Sequence, residues 1–316
     1  MRRKNKSAQV WGNGPIEKGH NFKRRKAGSR SLLFILIWAA AGMLLGGCEK
    51  KEAYSKEAVK TSIFSWEEDY ILPEQEEQVA AAMEALGCEA VYQEFPQDMD
   101  EDIVTDYLKR RGDRKQDVYY LAGAAEWGLE KDAASMLEQV ERVIQLNRKG
   151  GKGNRFCGIV WDVEPYLTEE WDTRQDEVME QYIKNCKTAY TKASENDLRV
   201  IVCIPNFYDK KGYEDELADL VEHGLDALAV MNYNKSDEAG QIRTEVELAK
   251  AYDKGIIHIA ELQRPGSHEL TEINTYYHDG IDAVKESFEE LKKEFNYPKL
   301  GFSWHYLRPV LKLLDE

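Results

Sequence analysis

From Ser62 onward the chain repeats one pattern eight times: a short run rich in β-branched and aromatic residues, then a longer amphipathic segment. The runs are SIFSW (62–66), AVYQEF (90–95), DVYYLAG (117–123), FCGIVWDVE (156–164), RVIVCIPNF (199–207), ALAVMNY (227–233), GIIHIAEL (255–262) and KLGFSWHYL (299–307). Between them, segments such as AASMLEQVERVIQLNRKG carry apolar residues at helical spacing (Met136, Val140, Val143, Ile144), and several stop at a glycine. Strands alternating with helices predict a parallel sheet covered by helices. Eight units in about 250 residues predict an α/β fold of one particular kind, a single-domain (β/α)8 TIM barrel over residues 61–316. An open doubly wound sheet is the alternative. Such sheets usually seat a phosphate after a strand through a GxGxxG turn or a P-loop, and no run here is followed by either.

Residues 1–47 read differently. They hold ten basic side chains and one acid, followed by the apolar stretch SLLFILIWAAAGMLL from Ser31 to Leu45. That stretch is short for a spanning helix, which needs roughly 20 residues. A basic segment, a brief apolar run and small residues predict a secretory signal peptide. Leu45-Gly46-Gly47-Cys48 resembles the bacterial lipobox, which implies lipidation of Cys48, a tether over 48–60 and an extracytoplasmic body held to a membrane. That body carries 33 basic against 57 acidic groups, so it repels phosphate backbones and nucleic acid is excluded as a partner. The five cysteines form no CxxC pair and no His/Cys cluster at ligand spacing, so neither a metal nor a cofactor is expected. Cys157 and Cys203 lie in strand-like runs and Cys88 and Cys186 in helix-like ones, and no disulfide is predicted.

In a barrel of this type, chemistry sits at the C-terminal ends of the strands. The two-residue period of a strand puts Val160, Asp162 and Glu164 on one face and Trp161 and Val163 on the other. The apolar pair belongs against the helices, so the two acids should face the barrel interior at its mouth, roughly 6–7 Å apart along the chain. Two carboxyls sharing a partly dry site cannot both ionise freely, and one should keep its proton near neutral pH. Aromatic residues at strand ends (Trp66, Tyr92, Tyr208, Tyr233, Trp304, Tyr306) suit the apolar faces of sugar rings.

FCGIVWDVE resembles the strand-four signature FDGIDIDWE of family 18 glycoside hydrolases, the chitinases and endo-β-N-acetylglucosaminidases, matching at Phe156, Gly158, Ile159, Asp162 and Glu164. The resemblance implies a retaining hydrolase of N-acetylhexosamine glycans. Glu164 would be the acid and base, and Asp162 would orient the substrate's own 2-acetamido group, which serves as nucleophile. Met231-Asn232-Tyr233-Asn234 is similar to the family's Met-x-Tyr-Asp/Asn string, which implies that Tyr233 bonds the acetamido carbonyl, with Asn234 beside it. By the same resemblance Trp304 would be the apolar floor beneath the reacting sugar. Cys157 and Val160 replace the first two acids of the family's DxxDxDxE pattern.

Other readings stay open. Val163-Glu164-Pro165 and a strand-seven Glu261 also fit a retaining glycosidase with Glu164 as acid/base and Glu261 as nucleophile, the carboxyls about 5–5.5 Å apart. Muramidase-type barrels share the Asp-x-Glu pair but carry an inward aspartate on strand one, where this chain has only Glu67 and Glu68 just beyond. The missing acid at position 160 leaves room for an inactive glycan-binding surface lipoprotein. Asn206, Tyr208 and Gln263 end their strands as candidate hydrogen-bonding groups for substrate. His258, flanked by isoleucines, reads as a core residue. His305, of opposite parity to Trp304, is expected to point outward. The loops GAAEWG (123–128) and QRPGSHELTEINTYYHDG (263–280) should set substrate choice.

Overall fold

The computed structural model describes residues 59–151 and 153–315. The signal-peptide and lipobox expectations, with Cys48 and most of the tether, fall outside them. The elements run β1 (Ser62–Ser65), α1 (Glu76–Ala85), β2 (Ala90–Glu94), α2 (Glu101–Asp113), β3 (Asp117–Ala122), α3 (Ala134–Gly150), β4 (Gly158–Trp161) and α4 (Trp171–Ser194). They continue β5 (Arg199–Pro205), α5 (Glu214–His223), β6 (Ala227–Met231), α6 (Glu238–Ala251), β7 (Gly255–Glu261), α7 (Gly280–Phe295), β8 (Leu300–His305) and α8 (Leu307–Asp315). The strands are parallel and pair in chain order, and β8 returns to β1, so the sheet closes into a (β/α)8 barrel. None of the described helices is long and apolar enough to cross a membrane.

Period-two alternation divides the apolar side chains into two cores. The larger lies between sheet and helices and holds the outward residues of each strand, among them Ile63, Val91, Tyr120, Trp161, Val202 and Phe302. The smaller fills the barrel with inward residues: Phe64, Tyr92, Tyr119, Leu121, Val160, Ile201, Cys203, Ala229, Ile257 and Ile259. At roughly 25 cal/mol per Å2 of apolar surface buried, each large side chain contributes about 1.5–3 kcal/mol, and the closed layer fixes where every strand ends. Val59 enters this inner core from the N-terminal end of the barrel, where Gly255 and Gly301 leave it room. A Cβ at Gly301 would fall 2.5 Å from a Val59 methyl, so the glycine makes the floor plug possible.

Outside the barrel, helix ends follow their sequence signals. Asp100 caps α2 by accepting the backbone N–H of Asp102 at 2.8 Å. Asn296 ends α7 in the left-handed conformation at φ 42°. The guanidinium of Arg111 is fully buried on α2 and is met by Glu76 on α1, which also pairs Arg110 at 2.5 Å and Arg114 at 2.8 Å. The cluster locks two consecutive helices together.

Candidate active site

The fourth strand ends sooner than its sequence run. Ladder pairing stops at Trp161, and the chain runs on without ladder pairing through Asp162 to Glu164 (φ −113°, ψ 70°), where Pro165 begins a 3-10 turn over Pro165–Leu167. One bond beyond the ladder, Asp162 N–H to the Ala122 carbonyl at 2.9 Å, keeps the strand parity. Asp162 and Glu164 therefore rise above Val160, whose side chain is fully buried in the inner core. The alternation anticipated this placement. It did not reveal Gly123, whose Cβ, were there one, would lie 1.9 Å from the Asp162 carbonyl oxygen. Only glycine lets β3 pass the Asp162 backbone that closely.

The surroundings of the two acids differ. Burial, then the negative charge of Asp162, push Glu164 up to about 8, although the Tyr166 hydroxyl donates to its Oε2 and works the other way. Asp162 is pushed up to about 6 by burial, opposed by the positive field of His305 and by a hydrogen bond from the Cys203 thiol on β5. Both carboxyls are thus held above their usual range, and the repulsion between them favours a pair that shares one proton. Tyr166, two residues past Glu164 in the turn that Pro165 starts, was not singled out from the sequence. Its spacing in Glu-Pro-Tyr is the signal that pointed to it.

Across the mouth stand β7 and β8, and here the structure corrects two expectations. Trp304 is 1% exposed and packs edge-on against Phe288 of α7 at 5.3 Å, in the layer between sheet and helices. It cannot be a sugar floor. His305 is the inward residue, with its ring 5.6 Å from those of Phe64 and Tyr233. The register explains both: Glu261 pairs with His305 and Ala260 with Trp304. The small residues Gly301 and Ser303 share the inward face with His305, while Leu300, Phe302 and Trp304 share the bulky outward one.

Glu261 is 2% exposed and every oxygen is engaged. Oε1 accepts the backbone N–H groups of Leu262 at 2.8 Å and Gln263 at 2.7 Å. Oε2 accepts the Gln263 side-chain amide at 3.1 Å and lies 2.8 Å from His305 Nδ1. Burial works against charge on His305, but the Glu261 carboxylate, followed by Asp162 and Glu67, holds its imidazole above the usual histidine range. Gln263 serves this clamp rather than facing substrate.

Tyr233 follows β6 and faces inward with the others. Burial, followed by the charges of Glu261, Asp162 and Glu164, pushes its phenol well above the ordinary tyrosine range, so it remains a neutral donor. The loop after β7 fixes it from above: the Asn274 amide donates to the Tyr233 carbonyl at 2.8 Å. Trp66 continues β1 past Phe64, stacks on it at 6.2 Å and is half-buried, which leaves an aromatic face at the mouth. Tyr92 lies too deep for this, at 1% exposed against Phe64 and Tyr119.

The remaining candidates sit elsewhere. Asn206 is buried and its amide donates to Asn232 Oδ1 at 3.2 Å and to Gln241, a polar tie between the ends of β5 and β6 and helix α6. Tyr208 is 1% exposed among Trp171, Tyr213 and Tyr166, so it backs the wall behind Glu164. Asn234 accepts the N–H of Ser236 at 3.0 Å and shapes the turn after Tyr233. His258 is fully buried with Nε2 3.3 Å from Glu238 Oε1, as a core histidine should be. No group of three or more His, Cys, Asp or Glu among the described residues could hold a metal ion.

This geometry defines the class: a (β/α)8 barrel with two neighbouring carboxyls, a phenol and a clamped imidazole facing its mouth. No family model matches the sequence, and no curated protein matches it. Among solved structures it is similar to a candidate α-L-fucosidase from Bacteroides thetaiotaomicron at 13% identity and a TM-score of 0.55, over 82% of this chain and 93% of the other. It is similar as well to D-psicose 3-epimerase from Clostridium cellulolyticum H10, at 14% identity and a TM-score of 0.51 over 81% and 90% of the two chains. An L-ribulose 3-epimerase gives 15% identity and a TM-score of 0.50 over 79% and 82%. These likenesses establish the barrel fold; the chemistry must be read from the site.

Proposed function

We propose that the protein is a retaining glycoside hydrolase acting on N-acetylhexosamine-containing glycans with the substrate's 2-acetamido group as nucleophile. The observation that carries this reading is the placement of two carboxyls, Asp162 and Glu164, on the inward face just above Val160 at the barrel mouth, where burial holds both above the usual carboxylate range. Glu164 donates its proton to the leaving glycosidic oxygen as the acetamido oxygen closes on the anomeric carbon. Asp162 accepts the acetamido N–H and stabilises the positive charge of the resulting oxazolinium, while the Tyr233 hydroxyl donates to the acetamido oxygen. Glu164, now ionised, then takes a proton from the water that opens the ring. Trp66 offers the stacking surface that Trp304 does not.

The double-displacement alternative through Glu261 is weakened by the same hydrogen bonds that fix that residue, since a carboxylate with four donors around it is a poor nucleophile. Both readings share the barrel and Glu164, and mutation separates them. The test is incubation of the soluble body with N-acetylglucosamine oligomers and detection of new reducing ends. Glu164→Gln and Asp162→Asn are expected to lower turnover by about 10^2–10^4. Binding without turnover in the wild type would leave a glycan-binding surface protein instead. The lipobox adds a location to the proposal: an extracytoplasmic protein anchored to the membrane through Cys48, with Cys48→Ala releasing it to the soluble fraction.

A further inference from the structure

The acid expected one layer below Asp162 is absent, because position 160 is a buried valine in the inner core. Asp162 nevertheless has a charged counterpart, and it comes from the opposite side of the barrel. We propose that His305, clamped by Glu261 and facing Asp162 across the barrel mouth, is a positioning residue that takes the place of the missing strand-four acid. The inference rests on the roles given above to Asp162 and Glu164.

The hydrogen bonds around Glu261 assign the protons. Two backbone N–H groups and the Gln263 amide fill three of its four acceptor sites and favour the carboxylate form, which leaves the fourth to accept from His305. His305 Nδ1, 2.8 Å away, must therefore carry the hydrogen. That leaves Nε2 as the atom available on the mouth side of the ring. The ring cannot swing away. Phe64 and Trp66 meet it edge-on at 5.6 and 6.5 Å, and Tyr233 lies tilted against it at 5.6 Å.

The pair is directed, with the carboxylate sunk at the end of β7 and the imidazole turned to the mouth, and the acids around the ring favour its protonated form. The charged and titratable groups facing His305 are Glu67 after β1, Asp162 after β4, Tyr233 after β6, Glu261 on β7 and the neighbouring Tyr306, with Glu164 beside Asp162. Arg308 offers the mouth little, being held by Glu67 at 2.9 Å. In a wall so rich in acids, a protonated, anchored imidazole favours the ionised form of Asp162, which it faces across the mouth, and so favours the proton on Glu164.

The test follows the Asp162 carboxyl directly, by carbon-13 NMR of protein labelled at aspartate Cγ, with Asp162→Asn assigning the signal. Removing a facing positive charge in His305→Gln should raise the titration midpoint of Asp162 by about one pH unit or more. Glu261→Gln should shift it in the same direction, and His305→Lys should return it towards the wild-type value. The acid limb of kcat/KM should move upward with the midpoint in each variant, with circular dichroism confirming the fold. An unchanged Asp162 midpoint in folded His305→Gln, or in folded Glu261→Gln if the first does not fold, overturns the proposal. The NMR readout needs no turnover. A shifted midpoint in a protein that releases no reducing ends therefore upholds the charge coupling while rejecting the hydrolase, and active enzyme with an unmoved midpoint does the reverse.

Discussion

The hydroxyl of Tyr166 donates to Glu164 from a position two residues along the same turn, and its removal gives a signed prediction. A hydrogen bond to a charged group is worth about 1.5–3 kcal/mol, roughly twice one to a neutral acceptor. The donor therefore favours ionised over protonated Glu164 by about 0.7–1.5 kcal/mol, and at about 1.4 kcal/mol per unit this holds the carboxyl down by about 0.5–1 pH unit. In the proposed mechanism Glu164 must be protonated, so its titration sets the alkaline limb, which burial and the Asp162 charge raise above the usual carboxylate range. In the same mechanism Asp162 must be ionised and sets the acid limb, raised in its turn by burial. In Tyr166→Phe the alkaline limb should move up by about 0.5–1 pH unit while the acid limb stays within a few tenths. Initial rates of reducing-end formation across the pH range, taken as kcat/KM, report these limbs in the free enzyme. An alkaline limb that stays put or falls in the folded variant would refute Glu164 as the proton donor.

Two further substitutions probe how the site is held. Gly123→Ala forces a methyl to within 1.9 Å of the Asp162 carbonyl oxygen, so backbone must shift. Urea denaturation should show a loss of about 1–3 kcal/mol together with reduced kcat, and native-like stability would mean that β3 does not brace the acid. Trp304→Ala empties a packed site against Phe288 and should cost about 3–5 kcal/mol in the same assay. A small cost paired with a large rise in KM would return Trp304 to the sugar-binding surface.

The barrel was legible because each strand shows its alternation within a short run and each helix its own period, so eight repeats leave few closed topologies. The two acids were legible for the same reason: Trp161 and Val163 claim the helix-facing side and leave Asp162 and Glu164 inward. That rule also holds in β8, where Leu300, Phe302 and Trp304 are bulky and Gly301 and Ser303 small. Family likeness drew Trp304 towards the sugar and pushed His305 outward, against the parity that β8 itself displays. The Glu261–His305 clamp and the approach of Gly123 to Asp162 join residues from different strands, and a single sequence holds no register between strands. Asn206 and Tyr208 were drawn to the mouth by their place at a strand end, whereas the chain had already turned back over the helical layer.

Val59, the first described residue, plugs the barrel at the end opposite Asp162 and Glu164. With Cys48 as the proposed anchor, ten residues separate lipid from plug, a leash of about 36–40 Å at full stretch. A leash that short, attached beneath, would moor the protein base-down on the bilayer with its open end raised towards whatever polymer lies above. Long strands of cell-surface material could then thread past the opening without competing with the lipid for space, which a tether emerging beside the mouth would not permit.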